Sequence, residues 1–410
     1  MRCSLIYYTW LFEGADNVNP LSFLRYNTRM SRATFGRYPA LVLACGLWYI
    51  TTTVATIEAK DFFLNNGRAI QFTLLSFVLA VPLWLICEVR EYFLNMEEDE
   101  ESSPSSPDHP HLKLQDRYRG LRSLPSAIFN EIASFAYQNI LTIILHVLHT
   151  HFTNLMVEGA SVKFAFMFLT VEPLATLVLY QLVYKTQPKI MLMCSLLPVP
   201  IGVILSNLDL VSGDHNEAVH HHALSPKVFF CSVLSVLTVS ARNVLFKNKG
   251  AASKSNQDNS TLWYLRLCTT GTFLVIPPYL FYLIFQSGSH PVPGPKSALV
   301  AGALMHIVYN IMAFVVLNMI EPVSHSLLNV FKKILVVMFS MAYYRSSLIP
   351  LQLFGILLSN FGLVAYVLLK RYQPADERES KTPPPRLGPR FKMISTAIGT
   401  GLLVLSLIGD

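Results

Sequence analysis

Ten apolar blocks recur along the chain, at 38–57, 69–89, 137–157, 162–184, 188–207, 226–246, 263–286, 297–318, 322–343 and 349–369. Each is close to the roughly 20 residues a helix needs to cross the hydrocarbon core of a bilayer. Together they take up about half of the 410 residues. Only 14% of residues are charged and mean hydropathy is +0.42, whereas soluble chains carry about 25% charge. The charge deficit excludes a disordered chain and argues against an ordinary soluble enzyme. The pattern predicts an all-α polytopic membrane protein with about ten transmembrane helices. The first block is the weakest, being interrupted by Thr51, Thr52, Thr53 and Thr56, and residues 123–136 either extend the third or form an interfacial helix.

The polar stretches divide the chain. They are an N-terminal segment 1–37, a long stretch 95–120 with an acidic run at Glu97–Glu101 and a Ser/Pro cluster, a shorter one at 248–261, and a basic, Pro-rich tail from 371. Stretch 95–120 reads as a disordered loop, since its composition cannot bury a core. The apolar end 394–408 is short for a span and reads as interfacial. With ten spans and a cytosolic N-terminus, 22 lysines and arginines fall on the cytosolic side and 6 on the other. By the positive-inside rule, this bias places both termini in the cytosol. The sequon at Asn259 is then cytosolic and unmodified. The six scattered cysteines form no CxxC pair and read as reduced, packed residues. No clean signal peptide opens the chain, and Glu13 and Asp16 weaken a transit-peptide reading.

Ionisable residues inside apolar blocks are functional candidates, because each costs at least a few kcal/mol. Lys332 and Lys333 lie at the middle of 322–343. Adjacent positions point about 100° apart on a helix and cannot both snorkel from mid-depth. Glu172 lies at the middle of 162–184, followed by Pro173, which opens the helix ladder. The functional reading is a cationic pocket for an anionic solute, with Glu172 and Pro173 in a structural or coupling role. The plainer reading is a Glu172–Lys332 ion pair holding two helices, although one carboxylate cannot neutralise two lysines. Arg242 is a membrane anchor or a phosphate fork. Tyr309 and Asn310 are pocket hydrogen-bonders or interhelical contacts. His306, His325 and His151 read first as packed histidines, and the cluster His215, His220, His221 and His222 as a solvated loop rather than a metal site. No GxSxG, HExxH or Walker motif is present. The expectation is therefore a non-enzyme with no cofactor and no metal. Its partners are a small anionic solute and the bilayer, with no nucleic acid, and any transport is secondary.

Residues 48–370 resemble the triose-phosphate translocator family of the drug/metabolite transporter superfamily, which includes sugar-phosphate exchangers and nucleotide-sugar transporters. The resemblance is carried by Trp48-Tyr49, His151-Phe152-Thr153-Asn154, Val171-Glu172-Pro173 and Ser240-Ala241-Arg242-Asn243-Val244-Leu245-Phe246-Lys247. Tyr309-Asn310, Glu321-Pro322, Ser324-His325 and Asn329-Val330-Phe331-Lys332-Lys333 complete it. It implies two inverted five-helix halves, 38–207 and 208–370, around a central site that works by alternating access. It also implies that Thr153, Arg242, Tyr309, Lys332 and Lys333 surround a bound phosphate ester.

The chain departs from the family pattern on its fourth block. Leu169 stands where the family usually has lysine, within the wholly apolar Phe164-Ala165-Phe166-Met167-Phe168-Leu169. Thr150 stands at the family's third-helix histidine, and Lys333 where plastid members carry arginine. The expectation is an antiporter of a phosphorylated organic anion, such as a nucleotide sugar or sugar phosphate, in the Golgi or endoplasmic reticulum. The alternatives are a non-transporting scaffold or regulator, a membrane-embedded enzyme using His306 or His325, and a metal transporter fed by the histidine loop.

Overall fold

The computed structural model describes residues 32–102, 110–184, 190–206, 225–250, 260–285, 296–319, 322–345 and 349–371. The first 31 residues, the histidine cluster at 215–222, Asn259, Glu321, the His325 side chain and the tail with its apolar end lie outside the described residues. The described residues form helices α1 (Arg32–Leu64), α2 (Ala69–Val78), α3 (Ala80–Ser102), α4 (Pro110–Gly159), α5 (Val162–Leu169), α6 (Glu172–Tyr184) and α7 (Ile190–Leu196). They continue with α8 (Pro198–Ser206), α9 (Pro226–Gly250), α10 (Ser260–Phe285), α11 (Lys296–Met319), α12 (Pro322–Tyr343) and α13 (Pro350–Arg371). The protein is an all-α, multi-pass integral membrane protein.

Three expected spans are each built from two helices, α2–α3, α5–α6 and α7–α8, so that thirteen helices make ten rods among the described residues. Each break has a proline within four residues downstream, Pro82, Pro173 or Pro198, which removes the amide that would close the ladder. Proline alone is not sufficient, because Pro39, Pro125, Pro277 and Pro278 lie inside continuous helices. Seven rods contain a stretch long and apolar enough to cross a membrane. The others are the shorter apolar rods Ile190–Ser206 and Pro350–Tyr366, and α12 with its lysine pair.

Two expectations need correction. The first rod runs well beyond 57, to Leu64. It remains the least apolar of the seven long rods, as expected, but its threonines do not break it: Thr51, Thr52, Thr53 and Thr56 turn their hydroxyls back onto the carbonyls of Leu47, Trp48, Tyr49 and Thr52. The stretch 95–120 is largely helical rather than a loop: α3 continues to Ser102 and α4 starts at Pro110. Glutamate and methionine are good helix formers, and proline suits the first turn of a helix. High charge therefore marked exit from the bilayer, not loss of helix.

Rod pairing follows a rule. The first rod packs on the eighth and the third on the sixth, while the second, fourth and fifth pack on the seventh, ninth and tenth. Exchanging each rod with the one five places along leaves this pairing unchanged. The ends of α1, α4 and α12 meet at one end of the bundle: Lys60 donates to the carbonyls of Val157 and Ala160, and Tyr343 and Tyr344 donate to Asp61. Rods one, three and nine thus finish together, and rods five and ten run oppositely, Val199 meeting Ser359 and Gly202 meeting Gly355, as inverted repeats require. The fifth and tenth rods approach closely at Gly202 and Gly355. A Cβ on Gly202 would lie 2.3 Å from the Gly355 carbonyl oxygen, so this crossing needs glycine.

Candidate functional site

Rod four supplies the first feature of the interior. Pro173 has no N–H, so the Leu169 carbonyl, four residues back, loses its ladder donor. Lys333 on α12 takes that carbonyl with its Nζ at 2.7 Å and the Glu172 carboxylate at 2.8 Å. Glu172 also accepts from Asn243 Nδ2 at 2.9 Å and Asn329 Nδ2 at 3.4 Å. A buried ammonium and a buried carboxylate are costly alone and tolerable as a hydrogen-bonded pair. The pairing expected for Lys332 is therefore made by Lys333. Glu172 begins α6, and the Ser240 hydroxyl donates to its carbonyl at 3.3 Å.

Lys332 is buried, at 8% exposure, and has no ion-pair partner among the described residues. Its ammonium lies 4.5 Å from the ring centre of Trp48 and 5.5 Å from that of Tyr309. Ring faces attract a cation but carry no formal charge to balance it. Tyr309 meets His306 Nδ1 at 3.1 Å, and the His306 ring stands edge-on to Phe72. The sequence pattern placed Lys332 and Tyr309 together, and the structure adds Trp48 and His306.

Arg242, on α9, is the third cation. Its Nε and Nη2 donate to Asn243 Oδ1 at 3.3 and 3.1 Å, and its Nη1 donates to His146 Nδ1 at 2.9 Å. Because arginine only donates, His146 accepts at Nδ1 and carries its proton on Nε2, which faces Cys268 Sγ at 3.8 Å. All of these partners are neutral. Arg242 also lies within electrostatic range of Lys332, Lys333 within range of both Lys332 and His149. Lys332, Lys333 and Arg242 thus share one nearby acid, Glu172, which is bonded to Lys333.

Thr153 meets Ser235 Oγ at 2.7 Å and His149 Nδ1 at 3.4 Å, and His149 in turn meets Ser235. His146 and His149 were missed by the sequence reading. The available clue was spacing: 146, 149 and 153 share one helix face, whereas 151 does not. His151 instead contacts Thr73 at 3.5 Å. Helix α5 is apolar, as the sequence implied, with Phe164, Ala165, Phe166, Met167 and Leu169 buried in the hydrophobic core. No group of three candidate metal ligands occurs among the described residues.

A family model, the Triose-phosphate Transporter family, matches residues 40–367. The chloroplastic phosphoenolpyruvate/phosphate translocator 2 of Arabidopsis thaliana is 26% identical over 243 residues, covering 56% of this chain and 59% of its own length. The chloroplastic, non-green plastid triose phosphate/phosphate translocator of Brassica oleracea var. botrytis is 26% identical, covering 56% of each chain. A Schizosaccharomyces pombe protein provisionally named as transporter C83.11 is 24% identical over 343 residues, 82% of this chain and 68% of its own. The chain thus spans little more than half the length of the two plastid relatives.

Proposed function

The chain belongs to the Triose-phosphate Transporter family, and from that premise we propose that it is a secondary transporter exchanging phosphorylated organic anions by alternating access. The observation that carries this reading is Lys332, buried against two aromatic faces with no ion-pair partner among the described residues, while the hydrogen bonds of Arg242 go to the neutral groups Asn243 and His146. A buried cation without a counter-ion is costly, and a phosphate brings the missing charge with oxygens that suit both ammonium and guanidinium. Exchange follows from the same cost. Closing empty would bury both cations unpaired, so the return step favours a loaded site.

In this proposal Lys332 is the main anion contact, Arg242 the second, and Tyr309 and Thr153 donate hydrogen bonds. Lys333 assists only indirectly, through its bond to Glu172, and Glu172 and Pro173 shape rod four. The two halves, 38–207 and 208–370, rock about this centre. The ring faces of Trp48 and Tyr309 beside Lys332 suit a bulkier solute than a triose phosphate, such as a nucleotide sugar or a substituted sugar phosphate. We place the protein in the Golgi or endoplasmic reticulum with both termini cytosolic. One relative, which covers 82% of the chain, comes from a yeast, and yeasts have no plastids.

Counterflow in proteoliposomes tests the reading. Vesicles are preloaded in turn with inorganic phosphate, sugar phosphates and nucleoside monophosphates, then offered labelled nucleotide sugars, sugar phosphates and phosphoenolpyruvate. The expected result is saturable, trans-stimulated uptake that Lys332→Ala abolishes. No uptake by folded protein across the panel would refute it. That result would favour a non-transporting scaffold or regulator, a reading that the apolar side chain of Leu169 and its buried neighbours support.

A further inference from the structure

Asn243 occupies a position that no role has yet absorbed. Its amide is used at both ends. Oδ1 accepts two N–H groups of Arg242, and Nδ2 donates to Glu172 Oε1 at 2.9 Å. Chemistry fixes this orientation, because the reverse would set an NH2 against a guanidinium and an oxygen against a carboxylate. Glu172 is already bonded to Lys333 through its other oxygen. Without a spacer, Arg242 and Glu172 are natural partners: opposite charges in a poorly solvated interior attract strongly, and bidentate geometry would suit both. Such a pair would cancel the arginine and draw the carboxylate away from Lys333.

We propose that Asn243 is a positioning residue of the anion site, holding Arg242 in place as a neutral amide and so keeping its charge available to the solute. This rests on the reading that Arg242 meets the solute. Asparagine suits the position better than its relatives. Aspartate would neutralise Arg242 and repel Glu172. Serine is too short to reach both partners. Alanine would leave Arg242 free to swing toward Glu172. The amide also links α9 to rod four, so the guanidinium is referenced to both halves of the bundle.

The test is exchange of labelled inorganic phosphate against internal inorganic phosphate in proteoliposomes, with KM and Vmax measured separately and folding checked by size-exclusion chromatography. Asn243→Asp is expected to raise KM about 10- to 100-fold, the range set by one charge-assisted hydrogen bond. Its effect on Vmax should be smaller. Asn243→Ser, too short to hold both partners and so leaving Arg242 free to swing toward Glu172, should also raise KM, by a smaller factor because that pairing is not fixed in place. The double variant Asn243→Asp/Glu172→Gln restores the total charge but leaves Arg242 cancelled, so its KM should stay high. A merely structural or net-charge role predicts recovery instead, and recovery overturns the proposal. So does a KM for Asn243→Asp within about twofold of wild type while Lys332→Ala still abolishes exchange, an outcome that leaves the functional reading standing. If Asn243→Asp does not fold, an unchanged KM in Asn243→Ser overturns it equally. Absence of exchange in folded wild-type protein, here and across the solute panel, overturns both readings together.

Discussion

Rods four and nine lie five places apart in chain order and pack on one another, yet they are built in opposite ways. Rod four is broken between Leu169 and Glu172, apolar before the break, and carries one acid. Rod nine is the single helix α12 and carries two lysines at mid-length. The break exposes a carbonyl and presents a carboxylate, and Lys333 binds both. One lysine thus closes the defect in its counterpart, and the other is left facing Trp48 and Tyr309. Asymmetric chemistry on a symmetric scaffold gives a site with excess positive charge and a place for it.

The largest test of this comparison removes the acid. Glu172→Leu leaves Lys333 buried without its partner, which should cost about 3–5 kcal/mol of stability, the usual penalty for breaking a buried pair. The measurement is the fall in Tm of purified protein in detergent. Adding Lys333→Met should recover most of the loss, since an apolar pair of similar volume carries no desolvation penalty. Equal losses in the single and double variants would show that the pair does not hold the two rods.

A smaller effect is expected at the break itself. Pro173→Ala restores an amide four residues after Leu169, which should close the ladder and add about 1 kcal/mol, the net value of one hydrogen bond. Hydrogen exchange reads this directly. A slowly exchanging amide at position 173 means that proline makes the break. A fast one means that the clamp by Lys333 and Glu172 holds rod four open whatever residue follows.

Much of this architecture was legible before the structure. The spans come from length and hydropathy, and the break was foreshadowed by Glu172-Pro173, because proline's missing donor acts locally. Which lysine meets Glu172 was not legible. Adjacent residues differ by about 100° around a helix, and only packing sets which side faces rod four. His146 and His149 were overlooked for a related reason. Motif resemblance drew attention to His151, while the 3.6-residue period puts 146, 149 and 153 on a common face. The helical part of 95–120 was lost because composition measures burial, and a helix leaving the bilayer can be stable without it.

The smallest effect lies where rod nine ends. Tyr344 donates to Asp61 Oδ1 at 2.9 Å and Tyr343 to Asp61 Oδ2 at 3.0 Å, tying α12 to the end of α1 beside the contacts of Lys60 with the end of α4. Burial first, and then the bond to Asp61, push the Tyr344 phenol well above its usual value. It therefore keeps its proton on the alkaline side of neutrality, and the tie should not loosen as pH rises from 7 to 9. Tyr344→Phe deletes a part-buried bond and should cost about 1 kcal/mol or less, while Tyr343→Phe, at an exposed bond, should cost close to nothing. The informative quantity is their effect on exchange. If this end opens during each cycle, a weaker tie favours the open state, and Tyr344→Phe should change Vmax with little change in KM. The reverse split, a raised KM at unchanged Vmax, would mean that the end of rod nine positions Lys332 instead of gating access to it.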